Sequence, residues 1–269
     1  MRLLASGVRK LGRRLATWLT FGLLTGLLAV VLIVVGATAG PSGGSAAQPS
    51  NLALVTFPGA YDSVLSFILG LGGLFAVIYG AAIAGSEWTW GTLKNAVARG
   101  ESRNRYILIS FASVAVVTGL GLLIALVVGV GAALIGATLA HVSTSGLTDG
   151  TTLSRLPLTF IKGWLAIVEE GALGFTIATL ARSQLAGIGA GIAFYFVEAF
   201  GGYFLPNVMK YLPFNVASAA VATPGNAFGG GGTPTVALEP NSALLLVSIW
   251  LIGSLAVAAL FTERTEITA

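Results

Sequence analysis

The sequence contains no cysteine, a single histidine and few charges, and each shortage closes off a class of chemistry. Without cysteine there is no disulfide, no iron–sulfur ligation and no thiolate zinc site. His141 alone cannot build a metal centre, which needs several convergent donors. No H-E-x-x-H occurs, and no G-x-x-x-x-G-K-[ST] phosphate loop, so neither a catalytic zinc site nor an ATP site is written into this chain. Lysine, arginine, aspartate and glutamate make up only 9% of 269 residues, against about 25% in soluble domains. With 55% hydrophobic residues, the chain has too little polar surface to close around a core in water.

What is present instead is a series of apolar runs. Crossing roughly 30 Å of hydrocarbon takes about 20 residues. Such runs fall at 15–38, 64–84, 106–139, 158–180, 185–205 and 243–261. The pattern predicts an all-α, polytopic membrane protein with six transmembrane helices. The third run is overlong and is expected to tilt or to project beyond the bilayer.

Lysine and arginine near span ends are retained on the cytoplasmic side. With the N-terminus inside, that side holds Arg2, Arg9, Lys10, Arg13, Arg14, Lys94, Arg99, Arg103, Arg105, Arg182 and Arg264, and the other side only Arg155, Lys162 and Lys210. Cytoplasmic N- and C-termini follow, and the net charge of +4 reads as a topology signal. Basic residues split among spans do not form the continuous patch that nucleic acid requires. The start of the chain imitates a signal peptide, with Ala37-Thr38-Ala39 after an apolar stretch, but residues 15–38 exceed a secretory apolar region of about 7–15 residues. They are expected to stay as the first span. Residues 1–14 alternate Leu3, Leu4, Val8 and Leu11 with basic residues, as an interfacial amphipathic helix does.

The segment 85–105 separates two apolar runs and contains EWTWGTLKNAVARGESRNR from Glu87 onward. Glu87, the run Gly91-Thr92-Leu93-Lys94 and the pair Ser102-Arg103 resemble the cytoplasmic connection after the second span of type-2 ABC export permeases. Two positions depart from that pattern: Gly100-Glu101 stands where a proline often precedes the Ser-Arg pair, and Ser110 stands where a lysine is common. The resemblance implies a permease subunit that works as a homo- or heterodimer, with two copies of a separate ATPase subunit that binds ATP and Mg. It also implies a multi-pass protein of a prokaryotic inner or plasma membrane, in contact with its lipids, with no cofactor, metal or catalytic residue of its own. Glu87 and Gly91–Lys94 are expected to dock the ATPase, and Ser102-Arg103 to anchor the segment to the bundle. An N-terminal elbow helix at residues 1–14 is also implied. The remaining chain divides into a transmembrane domain at 15–262, with an outer loop at 206–242, and a cytoplasmic tail at 263–269.

Four charges lie within spans. Glu169 and Glu170 fall in the middle of the fourth and Glu198 in the fifth, where a central charge costs on the order of 2.5–3.5 kcal/mol to insert. They are expected either to line a path for a substrate headgroup or a proton, or to hold helices together as a buried network. Lys162 shares a face with Glu169 but sits about 10 Å along the helix, too far to pair. Glycines at 22, 26, 70, 73, 129, 136, 187, 189 and 191 permit close helix packing. Residues 39–60, rich in Gly, Pro and Ser, are expected to be a poorly structured link, and 209–221 an interfacial helix followed by a flexible loop at 229–232.

Two motifs suggest hydrolases and lack their partners. Gly40-Pro41-Ser42-Gly43-Gly44 fits G-x-S-x-G, but its Gly/Pro/Ser composition between apolar runs is expected to give a loop rather than a strand-to-helix elbow. Tyr61-Asp62 resembles half of an intramembrane aspartyl protease site, and no GxGD accompanies it. Two readings compete with the permease. A secondary transporter would use the intramembrane glutamates and, commonly, internal repeats that this chain does not display. A membrane scaffold would need neither an ATPase nor acidic residues in its spans.

Overall fold

The computed structural model describes residues 2–38, 52–221 and 238–264, and among them every regular element is helical. Six helices are long and apolar enough to cross a membrane: α2 (Leu15–Thr38), α3 (Gly59–Thr89), α5 (Arg103–Leu139), α6 (Gly150–Ala181), α7 (Gln184–Phe204) and α10 (Pro240–Arg264). Among the described residues four shorter α-helices accompany them, α1 (Arg2–Gly12), α4 (Thr92–Ala98), α8 (Pro206–Met209) and α9 (Pro213–Ala220), with a 3-10 turn at Ser145–Thr148. The six expected spans are all present. Their ends differ, because helices run on past the hydrocarbon-length apolar core. α6 starts at Gly150, ahead of the expected 158, where Asp149 caps it by accepting the Thr152 N–H at 2.9 Å. α5 has 37 residues, about 55 Å of helix, and its surplus length carries α1 against its first turns.

α3 and α6 form the centre of the bundle and bury most of their apolar windows, whereas α2, α7 and α10 leave theirs mostly exposed to the surroundings. Close approach at the centre is written in glycine. A Cβ at Gly80 would run into the Gly171 carbonyl, and one at Gly174 into the Val77 carbonyl. In lipid there is little hydrophobic drive between helices, so such backbone contact supplies the packing energy. Gly129 and Gly136 likewise admit Leu28, Leu32 and Val55, while Gly22, Gly26 and Gly189 face open space. Polar ties add to this: Trp164 donates from α6 to the Ala115 carbonyl of α5 at 2.9 Å, and Thr176 to the Ser254 carbonyl of α10 at 2.9 Å.

Two expectations about the connecting segments need correction. Residues 52–58, part of the stretch expected to be a loose link, pack Val55 and Phe57 into the core beside Leu32 and Ala133. The helix expected at 209–221 is the shorter α9, begun by Pro213 and preceded by the single-turn α8, and it is packed into the bundle rather than laid on a surface. Phe214, Asn215, Val216 and Ala217 are buried, and α9 packs on α6, α7 and α10. The G-x-S-x-G stretch at 40–44, the loop at 229–232 and the tail beyond Arg264 lie outside the described residues.

Candidate functional site

α1, α4, the turn around Arg182 and the last turn of α10 gather at one end of the bundle, the end rich in lysine and arginine. Glu87 is its hub. Its side chain is only 2% exposed although it sits in the last turn of α3. Lys10 approaches one oxygen at 2.8 Å and Arg14 the same oxygen at 3.2 Å. Tyr106 donates to the other at 2.5 Å, and Thr92 donates to that oxygen as well. One carboxylate therefore joins α1, the α1–α2 corner, α4 and α5 to α3. Charged hydrogen bonds of this kind are about twice as strong as neutral ones, and the shielded setting strengthens them further.

The corner between α1 and α2 is held by the same cluster. Arg14 also donates to the Ser86 hydroxyl at 2.6 Å and stacks over Trp90 at 4.9 Å. Thr17 donates to the Leu11 carbonyl at 2.7 Å and pairs with the Tyr79 hydroxyl at 2.9 Å. The amphipathic N-terminal segment is therefore an ordered elbow helix, fixed to the bundle by charge on one side and by Leu11 on the other.

α4 is a short helix hung between two glycines. Gly91 (φ 62°) and Gly100 (φ 87°) both adopt left-handed conformations, which cost other residues about 1–2 kcal/mol. Leu93 points into the core with Ala84 and Ile107, and it is almost wholly buried. Lys94, Asn95, Ala98 and Arg99 are exposed on the other face. Ser102 is the exposed N-cap of α5, and Arg103 donates to the Glu263 carbonyl at 3.2 Å while Asn104 reaches the Glu263 carboxylate at 2.9 Å. The segment is thus tied to both neighbouring spans and to the end of α10. Of the residues read as docking contacts, Lys94 is turned outward, while Glu87 and Leu93 are turned inward. A direct contact between Glu87 and a partner does not fit its burial; its place is inside the hub.

The three intramembrane acids lie elsewhere, Glu169 and Glu170 near the middle of α6 and Glu198 in the second half of α7. Glu169, Glu170 and Glu198 are 0%, 5% and 1% exposed. Glu198 accepts the Asn215 backbone N–H at 3.1 Å and its amide at 3.3 Å through one oxygen. Its other oxygen, one oxygen of Glu170 and both of Glu169 lack hydrogen-bond partners among the described residues. The Glu170 carboxylate lies where a Cβ at position 73 would be, so Gly73 makes room for it. Glu170 and Glu198 share a small pocket, and Glu169 does not line it. Asn215 was not legible as a partner, because its position depends on α9 folding back under the end of α7. A lone amide in the apolar run Pro213–Ala220 was the available signal.

Other candidate residues have structural roles. Tyr61 donates to the Leu147 carbonyl at 2.8 Å, closing the α3 start against the turn before α6. His141 is exposed in a left-handed turn after α5. Among the described residues no group of three or more His, Cys, Asp or Glu side chains is arranged to hold a metal ion.

Six long apolar helices around a glycine-packed centre define a multi-span helical membrane protein. Residues 45–268 match the family described as a protein of unknown function (DUF2705), and the chain belongs to that family. No curated protein is similar enough to count as a relative.

Proposed function

We propose that this chain is the membrane subunit of an ATP-driven exporter of the type-2 ABC class, coupled to a separate ATPase through α4. The observation that carries the reading is the hub at Glu87. A short helix with an exposed basic face is bonded at its first residue, Thr92, to a carboxylate that also holds α1 and α5. A push on α4 from the cytoplasm cannot be absorbed locally, because it displaces the atoms that fix three neighbouring elements. The two left-handed glycines let the chain turn sharply into and out of α4, so the helix lies across the ends of the spans it joins. The similarity of Glu87, Gly91–Lys94 and Ser102-Arg103 to the coupling segment of those permeases points to the same use.

In this reading two copies of the chain, or one copy with a related subunit, form the path, and two ATPase subunits bind ATP and Mg. Lys94 and Arg99 meet the ATPase; Glu87 and Leu93 transmit its movement inward. The test is affinity purification of the full chain from its native membrane, followed by ATPase assay and mass identification. A stoichiometric subunit bearing a phosphate-loop motif, lost in Lys94→Glu while the membrane chain stays folded, is the expected result. A chain that purifies without any ATPase, and whose Lys94→Glu variant behaves as the parent, would return the function to the secondary-transporter or scaffold readings.

A further inference from the structure

The pocket shared by Glu170 and Glu198 has the makings of a binding site that the coupling segment does not explain. It lies between α3, α6, α7 and α9 and has a volume of about 20 Å³, room for one water or one small ion. Its wall brings together Gly70, Glu170, Tyr195, Glu198, Asn215 and Ser218. Among the described residues no lysine or arginine lines it. Two carboxylates therefore face a small space, each with an oxygen that has no hydrogen-bond partner among the described residues, and each more than nine-tenths buried.

Isolated carboxylates at this depth are strongly disfavoured unless a positive charge joins them. Among the described residues none lines this pocket. The neutral groups around the acids are oxygens: the Tyr195 hydroxyl, which donates to the Gly70 carbonyl at 3.4 Å, and the Ser218 hydroxyl at the exposed rim. Asn215 spends its amide N–H groups on Glu198 and on the Met209 carbonyl at 3.1 Å, so it orients one acid without neutralising it. Carboxylate, carbonyl and hydroxyl oxygens around a water-sized space are the donor set of a hard cation. A bare proton would need neither the space nor the neutral oxygens. Among the described residues two acids line the pocket, so one monovalent cation and one proton retained between them leave it electrically neutral.

We propose that this pocket binds a small monovalent cation of the sodium type, held by Glu170 and Glu198 and reached past Ser218. Glu169, beside Glu170 in sequence, does not line the pocket and is not a ligand. The inference stands on the pocket alone and does not require the permease reading.

The experiment uses the purified full chain in detergent, with radioactive sodium as the probe and N-methylglucamine chloride at equal ionic strength as the reference. Saturable binding of one ion per chain and a sodium-specific rise in melting temperature are expected. Both should be lost in Glu170→Gln and Glu198→Gln, and Ser218→Ala should weaken binding by about tenfold. Ser218→Ala is the control if the glutamine variants fail to fold, since its side chain is exposed and the fold does not depend on it. The proposal is overturned if the folded parent shows no saturable sodium binding, if it responds to pH alone, or if Ser218→Ala and the glutamine variants bind as the parent does.

Discussion

Replacing Glu87 by alanine should loosen the basic end of the bundle as a unit. The carboxylate accepts from Lys10, Arg14, Thr92 and Tyr106, and truncation leaves those donors facing a shielded gap. Removing one partner of a buried charge pair costs about 3–5 kcal/mol. Lys10 is 41% exposed and can turn back to water, so its share is discounted and the lower end, about 3 kcal/mol, is the better expectation. Glu87→Gln keeps an acceptor for Tyr106 and Thr92 and loses the charge, so it should fall between alanine and the parent. Two measurements read this out: the melting temperature of the purified protein, and protease cleavage within residues 2–14. The expected drop is roughly 5 °C or more for alanine, with the elbow becoming cleavable. An unchanged melting temperature and a protected elbow in Glu87→Ala would refute the hub.

The bundle centre gives a steric prediction: Gly174→Ala places a methyl against the Val77 carbonyl, backbone that cannot swing aside, and should cost about 1–3 kcal/mol, whereas Gly22→Ala, facing open space, should leave the melting temperature unchanged. Gly91→Ala meets no neighbour and suffers only from its left-handed backbone, so a loss of about 1–2 kcal/mol with retained expression is expected. The Asp149 carboxylate, stabilised by Thr151, Thr152 and the Thr152 N–H, is held down to about 2. A depressed value means that its stabilising effect is full above the ordinary aspartate range, near 4, and fades as pH falls toward 2. The stability advantage of the parent over Asp149→Asn should be present in full at pH 7 to 8 and should shrink as acid titration carries the pH down through that window. Single cysteines at Asp149 should react with an impermeant reagent from outside and those at Asn95 and Ser183 should not; reversed labelling would invert the topology.

Helix number and type were legible because a span needs a long apolar run, and the first span was read at the residues it occupies, Leu15–Thr38. Span ends were less legible. α3 continues past Ala84 through Ser86 and Glu87 because these polar groups find partners on other elements, and an apolar window stops where such groups begin. The elbow was visible as alternating leucines and basic residues, yet its attachment was not, since Arg14 and Glu87 are 73 residues apart in sequence. That pairing turns Glu87 from an outward contact into an inward one. The acids in α6 and α7 were evident as anomalies in apolar runs. Their division into Glu169 outside the pocket and Glu170 with Glu198 around it depends on helix rotation and on the return of α9, neither of which one sequence encodes locally.

If an ATPase pushes on this bundle at α4, as proposed, site-specific photo-cross-linking will capture the contact. A photoreactive residue in place of Lys94, in native membranes, should give an adduct with a chain carrying a phosphate-loop motif, and the adduct should change in yield when ATP is added. The same residue at Arg155, at the opposite end of the bundle, should give no such adduct. Adducts with lipid alone at position 94, or equal adducts at both positions, would contradict the account.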